Sequence, residues 1–125
     1  MKFSPRSAWA LPATFLMSVI GASAMAAPPK VLDGVLVGPA DMTLYTFDKD
    51  SSGKSVCNGP CAGIWPPLMA DSTDQAAGDF SIITRDDGAK QWAAKGKPLY
   101  HWSKDSKPGD RTGDGFNKVW QVARP

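Results

Sequence analysis

The chain has 125 residues, and its 14 basic and 12 acidic side chains give a formal net charge of only +2. A chain of this length forms one domain, and a charge this close to neutral gives no electrostatic footprint for nucleic acid, which excludes that class of partner. All acidic residues are aspartate, and 12 glycines and 11 prolines accompany them. Because these residues favour turns over helices, the composition predicts a turn-rich protein made mostly of strands.

Residues 1–26 have the pattern of a secretory signal peptide. Lys2 and Arg6 precede an apolar run, and a stretch of small residues typical of a cleavage site ends at Ala26. The apolar run is shorter than a membrane-spanning helix requires, and no cysteine lies at the cleavage point for lipid attachment. We therefore expect no membrane anchor, and export of residues 27–125 as a single β domain to the periplasm or the medium.

Short strands separated by turns are predicted for the first half of this domain. Residues 31–37 favour a strand interrupted by a turn at Asp33-Gly34, and residues 42–47 favour a second strand. A proline-containing turn at 38–41 separates them, and a loop rich in Asp, Ser and Gly follows. Prolines make residues 64–68 extended.

The second half has a clearer strand pattern. A polar connection at 70–78 leads to a hairpin whose turn is Asp86-Asp87-Gly88. The predicted strands are 79–85, 90–94, 99–102 and 118–123. No stretch of the exported region has the 3.6-residue apolar period of a helix. We therefore expect an all-β fold of six or seven antiparallel strands, arranged as a small sheet or a sandwich.

The chain contains two copies of one motif. "LYTFDKD" begins at Leu44 and "LYHWSKD" begins at Leu99, and a tryptophan follows each tyrosine at the same spacing. The shared positions are Tyr45, Phe47, Asp50 and Trp65 in the first copy and Tyr100, Trp102, Asp105 and Trp120 in the second. A unit this small cannot bury its apolar face alone, so we expect two pseudo-equivalent repeats packed about a pseudo-twofold axis, with these aromatic rings in the core or at its rim.

These motifs resemble a known family. The two Y-x-(F/W)-x-x-D motifs, with "CNGPCAGIWPP" after the first and "KPGDRTGDGFNKVW" after the second, are similar to the secreted repeat proteins with the conserved Yx(FWY)xxD motif, many of them described as predicted lipoproteins of unknown function. The resemblance covers residues 31–122. It implies export and a repeat architecture, and it implies no reaction. The missing cysteine at the cleavage site departs from the lipoprotein members and favours a soluble exported protein.

The two cysteines, Cys57 and Cys61, are the first candidates for chemistry. In an oxidising compartment, a C-x3-C pair predicts a disulfide that closes a short loop. A redox-active pair, working as a thiol–disulfide partner in an envelope redox chain, is one alternative. A transition-metal site, formed by the cysteines with His101 and Met42 or Met69, is another. His101 alternates away from the motif aromatics, so we expect a surface histidine.

The aspartate-rich loops are the second candidates. Asp48, Asp50 and Ser52 match the beginning of a calcium loop, but Gly59 occupies the position of its final carboxylate. The second copy offers three aspartates at a different spacing: Asp105, Asp110 and Asp114. No cofactor is therefore certain, and Ca²⁺ is the candidate for these loops. The favoured interpretation is that these residues shape turns, with the aspartate of each motif accepting hydrogen bonds from loop amides.

No catalytic constellation is present in the sequence, which has one histidine and no glutamate. We therefore expect an exported, non-enzymatic binding or structural module of the bacterial cell envelope. Its partner would be an unidentified envelope protein or a small ligand. If the protein binds through aromatic side chains, the candidates for an exposed binding face are Trp65, Trp92 and Trp102. A metal-binding protein and a thiol–disulfide redox partner are the alternatives.

Overall fold

The computed structural model describes residues 28–125, so the predicted signal peptide lies outside the described residues. Over this range the chain forms seven short strands, one five-residue α-helix, α1 (Pro60–Ile64), and two 3₁₀ helices, Pro39–Asp41 and Phe116–Lys118. The strands are β1 (Lys30–Leu32), β2 (Val35–Val37), β3 (Tyr45–Phe47), β4 (Phe80–Thr84), β5 (Lys90–Ala94), β6 (Lys97–Pro98) and β7 (Trp120–Val122). All pairings between them are antiparallel, which confirms the all-β prediction. No helix in the described range has the length and apolarity needed to cross a bilayer.

Tight turns with positive φ angles set the hairpins. Asp33 and Gly34 join β1 to β2 with φ angles of 52° and 80°, and Lys95 and Gly96 join β5 to β6 with φ angles of 51° and 82°. Two consecutive positive values match the type I′ turn, whose twist fits the twist of paired strands. The longer β4–β5 connection places only Gly88 in this region, with a φ of 88°. The turns therefore fix both hairpin registers.

The end of the second repeat completes the sheet of the first. Strand β7 pairs with β3, so that Tyr45 lies opposite Val122. Beside this pair, the Leu36 N–H donates to the Ala123 carbonyl at 2.9 Å, and the Leu44 N–H donates to the Leu36 carbonyl at 3.0 Å. The Ala123 N–H donates in turn to the Leu44 carbonyl at 2.8 Å. These three residues form the first hydrogen-bond triangle.

The second repeat has the equivalent arrangement. The Trp92 N–H donates to the Leu68 carbonyl at 2.9 Å, and the Leu99 N–H donates to the Trp92 carbonyl at 3.0 Å. The Leu68 N–H donates to the Leu99 carbonyl at 2.9 Å, which closes the second triangle. Tyr100 lies opposite Pro67, as Tyr45 lies opposite Val122 in the other half. Each repeat is thus completed by the terminal segment of the other.

The two repeats meet at the backbones of Tyr45 and Tyr100. The Tyr45 N–H donates to the Tyr100 carbonyl at 2.8 Å, and the Tyr100 N–H donates to the Tyr45 carbonyl at 2.9 Å. This reciprocal pair is the antiparallel bridge that a twofold relation between the repeats requires. The pseudo-twofold axis therefore passes between the two tyrosines.

Two predicted details are wrong. Residues 60–64 were expected in a loop and an extended segment but form α1, where Pro60 takes the first helical position that suits a residue without an N–H. Residues 99–102 do not form a continuous strand. The backbone of Leu99 is hydrogen-bonded to Leu68 and Trp92, whereas the backbone of Tyr100 is hydrogen-bonded to Tyr45. Because these neighbouring residues pair with different segments, they do not form a continuous strand.

The buried side chains form two clusters. An aromatic cluster holds Tyr45, Trp65, Tyr100, Trp102 and Trp120, together with Val35, Val37, Cys57 and Val122. An aliphatic cluster holds Leu36, Leu44, Leu68, Leu99, Ala94 and Ala123 around Trp92. Both clusters draw residues from both repeats. The hydrophobic stabilisation of either repeat therefore depends on the presence of the other.

A chain divided in the exposed connection tests this dependence. We expect fragments 28–74 and 75–125 to be unfolded as separate monomers, because each lacks the segment that completes its triangle. Mixing them should restore the native fold. Amide NMR spectra of each fragment and of the mixture measure the outcome. A dispersed spectrum from either fragment as a monomer would show that a repeat is stable alone.

Candidate functional site

The motif tyrosines and aspartates are paired across the two repeats. The Tyr45 hydroxyl donates to Asp105 Oδ2 at 2.7 Å, and the Tyr100 hydroxyl donates to Asp50 Oδ2 at 2.5 Å. Each tyrosine therefore bonds to the aspartate of the other motif and not to the aspartate five residues along its own. Both phenol rings are fully buried. The motif thus joins the repeats through two crossed hydrogen bonds.

The second oxygen of each motif carboxylate is also occupied. Asp50 Oδ1 accepts from the Val56 N–H at 2.7 Å. Asp105 Oδ1 accepts from the Thr112 N–H at 3.0 Å and from its hydroxyl at 2.6 Å. Each aspartate therefore ties the loop that follows its own motif to the tyrosine of the opposite repeat. Carboxylates held in this way shape loops, as turn-forming aspartates commonly do.

The protonation states fit these roles. Burial, followed by the hydrogen bond to aspartate, holds the pKa of Tyr45 and of Tyr100 well above the usual phenol range. Burial also raises the pKa of Asp50, against the lowering effect of its hydrogen bond from Tyr100. The phenols consequently remain proton donors at neutral pH. This arrangement stabilises a structure and supplies no phenolate nucleophile.

Four motif rings form one aromatic stack between the repeats. The ring centroids are 4.2 Å apart for Phe47 and Trp120, 3.8 Å for Trp120 and Trp65, and 4.0 Å for Trp65 and Trp102. The two central indoles are nearly parallel, with an interplanar angle of 2°. Tyr45 presents its edge to Trp65 at 5.3 Å. Successive rings come from alternate repeats, so the stack adds aromatic contact energy to the junction between them.

The three tryptophans proposed as a binding face are buried. Trp65, Trp92 and Trp102 are only 3%, 1% and 7% exposed, so the prediction of an exposed aromatic face is wrong at these positions. The alternation of side chains along a strand indicates which residues share a face, but it does not indicate which of the two faces packs into the core. Trp92 Nε1 is the one buried side-chain nitrogen or oxygen without a hydrogen-bond partner in the described range.

A buried arginine completes the Tyr100 side of the junction. Arg85 is 6% exposed, and its Nη1 donates to Ser55 Oγ at 3.1 Å and to Gln91 Oε1 at 2.8 Å. Its Nη2 donates to the Cys57 carbonyl at 2.6 Å. No sequence pattern indicates this role, because the residues around the guanidinium come from separate segments with no shared motif.

Ser55 continues the network from Arg85 to the motif. Its hydroxyl lies 2.6 Å from the Tyr100 hydroxyl. Because the one phenolic proton is donated to Asp50, Ser55 donates to Tyr100. A chain of hydrogen bonds therefore connects the buried guanidinium to the Asp50 carboxylate through two hydroxyls. The described residues form no direct ion pair with Arg85.

The cysteines are joined to each other. Cys57 and Cys61 form a disulfide with a Cα–Cα distance of 5.2 Å, and Cys57 is fully buried. The sulfurs are therefore not thiolate ligands, so the transition-metal hypothesis loses two of its donors. Of the other proposed ligands, Met69 is 45% exposed. Within residues 28–125 no three His, Cys, Asp or Glu side chains are grouped so as to hold a metal ion.

His101 is partly buried, contrary to the expected surface position. A β-carbon placed on Gly38 would lie 3.2 Å from His101 Nε2, so the ring packs over the bare backbone of this glycine. Burial lowers the pKa of the imidazole, and the charge of Asp105 opposes this shift. The folded state therefore favours the neutral ring.

The remaining aspartates of the calcium hypothesis are bonded to protein donors. Asp48 accepts from Gln121 Nε2 at 2.9 and 2.8 Å, and Asp114 accepts from the Val122 N–H at 3.1 Å. Asp110 accepts from the Ser106 N–H at 2.8 Å. Ser52, a further proposed ligand, lies against the β5–β6 turn. These contacts favour the turn-shaping interpretation, and calcium binding stays a prediction.

Comparison with known proteins finds one relationship. A family model described as a secreted repeat of unknown function matches residues 31–69 and matches again at residues 81–124. The two matches coincide with the two repeats and omit the connection between them. No curated protein and no solved structure matches the chain.

The crossed pairing can be tested with a double-mutant cycle. Tyr100→Phe and Asp50→Ala should each destabilise the fold, with a coupling energy of about 1–3 kcal/mol, because they share a hydrogen bond to a charged group. Urea denaturation provides the measurement. The matched control is Tyr100→Phe with Asp105→Ala, whose effects should add to within about 0.5 kcal/mol. Stronger coupling in the control pair would contradict the crossed arrangement.

The buried histidine predicts a loss of stability in mild acid. Because the pKa of His101 is lowered in the folded state, the unfolded chain binds its proton first as the pH falls below the ordinary value of 6.5. The free energy of unfolding should therefore decrease from that pH down to the lowered folded pKa. Denaturation of the wild type and of His101→Gln between pH 8 and pH 5 tests this. Equal pH dependence in both proteins would exclude His101 as the cause.

Proposed function

The chain belongs to this family of secreted repeats, and from that membership and the inward-facing motif we propose that it is an exported, non-enzymatic binding or structural module of the bacterial cell envelope. In this proposal residues 1–26 are removed after Ala26. The domain then works in the periplasm or outside the cell, where its two cysteines are oxidised.

One observation carries the proposal. The motif side chains that make the two repeats recognisable are buried and bonded to one another, as the crossed Tyr45–Asp105 and Tyr100–Asp50 pairs show. Residues committed in this way maintain a scaffold and do not form an open cleft in which a substrate could react. The role of the protein must therefore lie on the surface that this scaffold supports.

Contacts within the domain hold its loops in place, which suits a module that presents a fixed surface. The Cys57–Cys61 disulfide and the buried Arg85 network hold the loop that follows β3. The aspartate of the second motif holds the corresponding loop of the other repeat through Thr112. Loops fixed in this way present their outer side chains in one arrangement, which reduces the entropy that binding costs.

Native mass spectrometry of the protein from its own envelope fraction tests the proposal. We expect a chain that begins at Ala27, contains oxidised cysteines, and carries a non-covalent mass or a cross-linked envelope partner. A variant with Ala24→Leu and Ala26→Leu is the matched control, and it should keep residues 1–26.

Three results would each contradict one part of the proposal. They are recovery from the cytoplasm, recovery with reduced cysteines, and recovery of the free chain with neither a bound mass nor a cross-linked partner. The first two would reject export, and the third would reject a binding role.

A further inference from the structure

We propose that a trough beside the β5–β6 turn binds an amphiphilic anion, that is, an apolar chain that ends in a phosphate or carboxylate group. The central section of this trough has a volume of about 330 Å³ and is lined by Lys95, Lys97 and Arg124. No acidic side chain lines this section. The inference rests on the proposed binding role and names the class of ligand.

The three cations have no acidic partner. The ion pairs found in the described part of the chain join Lys30 to Asp41, Lys54 to Asp86 and Lys107 to Asp110. The side chains of Lys95, Lys97 and Arg124 take part in none of them. Three positive side chains without an ion-pair partner lie around this section and attract an anion there. Lys95 and Lys97 also line an adjoining cavity that contains Asp48 and Asp50, so the attraction is local to the section that includes Arg124.

The floor of the trough is formed by the outward face of the β3–β7 pair and its neighbours. Thr46 and Gln121 lie opposite each other in that pair and contribute polar groups. Buried apolar residues, Leu36, Ala94 and Ala123, form the rest of the floor. The section therefore combines polar and charged walls with a small apolar patch at its floor, and convergent polar groups of this kind orient ligands in small-molecule sites.

An apolar section adjoins the cationic one. It has a volume of about 280 Å³, and Val31, Phe80 and Ala77 line it, with Asp79 as the one acidic residue at its wall. Leu36, Lys95 and Arg124 line both sections, so the two sections adjoin each other. Val31 is 53% exposed, which leaves apolar surface open to a ligand. The trough therefore offers positive charge in its centre and apolar contact at one end, which is the complement of an amphiphilic anion.

The backbone of Lys95 has an unfavourable conformation. Its φ of 51° lies in the left-handed region, which is unfavourable for residues other than glycine and asparagine. The first position of a type I′ turn usually holds asparagine, aspartate or glycine for this reason. Lys118 has a similar φ of 62°, so this conformation predicts a stability cost at Lys95 and does not by itself mark a binding residue.

The turn is also preformed. Gly96 has a φ of 82°, and a β-carbon on it would lie 2.6 Å from Ser52 Oγ, so the turn packs closely against the loop after β3. The Gly53 N–H donates to the Gly96 carbonyl at 2.8 Å, and the Lys95 N–H donates to the Asp79 carbonyl at 2.8 Å. These contacts hold the backbone of Lys95 in place before any ligand arrives.

Titration calorimetry of the mature protein with dodecyl phosphate below its micellar concentration tests the inference. We expect saturable binding of one molecule, weaker binding of inorganic phosphate, and no binding of dodecyl maltoside at the same concentrations. The triple variant Lys95→Gln, Lys97→Gln, Arg124→Gln should bind about tenfold to a hundredfold more weakly, from about twofold to fivefold for each charge.

The matched control neutralises three exposed lysines that do not line the trough: Lys49→Gln, Lys104→Gln and Lys118→Gln. It has the same net charge as the trough variant and should bind dodecyl phosphate like the wild type. Equal losses in the two triple variants would overturn the inference, because the attraction would then come from overall charge. Equal binding of dodecyl maltoside would also overturn it.

Lys95→Asn separates binding from folding. We expect this variant to melt at a higher temperature than the wild type, because asparagine suits the turn, and to bind dodecyl phosphate about twofold to fivefold more weakly. Unchanged affinity would overturn the role of Lys95.

Vesicles distinguish the two sources of such an anion. Co-sedimentation with phosphatidylglycerol vesicles, and not with phosphatidylcholine vesicles, would assign the trough to a membrane lipid. Binding of dodecyl phosphate without co-sedimentation would assign it to a free amphiphile, and both results support the shared chemistry. If dodecyl phosphate does not bind while the protein from the envelope carries another ligand, the inference fails and the proposed binding role stands.

Discussion

The reciprocal backbone pair between Tyr45 and Tyr100 sets the register between the two repeats. Two hydrogen bonds place the tyrosines side by side, and this placement carries each phenol to the aspartate of the opposite repeat. The same register sets the motif tryptophans face to face at 3.8 Å. A slip of one residue would turn both phenols to the opposite faces of their strands and would break the crossed bonds and the stack together.

The two repeats have the same backbone arrangement, but the hydrogen-bond partners of their tyrosines differ. Tyr45 accepts a hydrogen bond from the Gly113 N–H at 3.2 Å, whereas Tyr100 is held by Ser55 and, through it, by a buried guanidinium. A buried charge is tolerated only when its hydrogen bonds are satisfied, and Arg85 meets this condition with four acceptors. The half around Tyr100 therefore depends more on polar contacts than the half around Tyr45.

Local sequence signals predicted much of the fold, and long-range relations account for what they missed. The break predicted at Asp33-Gly34 coincides with the turn between β1 and β2, although the sequence prediction did not pair the two parts of that strand as a hairpin. The crossed bonds were not predictable, since Asp50 and Asp105 stand at the same spacing from their tyrosines and either pairing fits the sequence. The buried network of Arg85 and the cavity beside Lys95 were not predicted for a related reason, because the residues around each side chain come from distant segments. The sequence did not predict helix α1, because the proline, cysteine and glycine that it contains are also common in loops.

The exchange of terminal segments determines how this architecture relates to oligomers. A polypeptide with a single repeat would expose the unpaired edge that the other repeat covers here, and an identical copy related by a twofold axis would supply the missing segment. The interface would be isologous, with each tyrosine bonded to the aspartate of the neighbouring subunit. The two-repeat chain is thus equivalent to a homodimer whose subunits are covalently joined. Joining them removes the concentration dependence of assembly and allows the two halves to differ, as the network around Arg85 and the trough around Lys95 do.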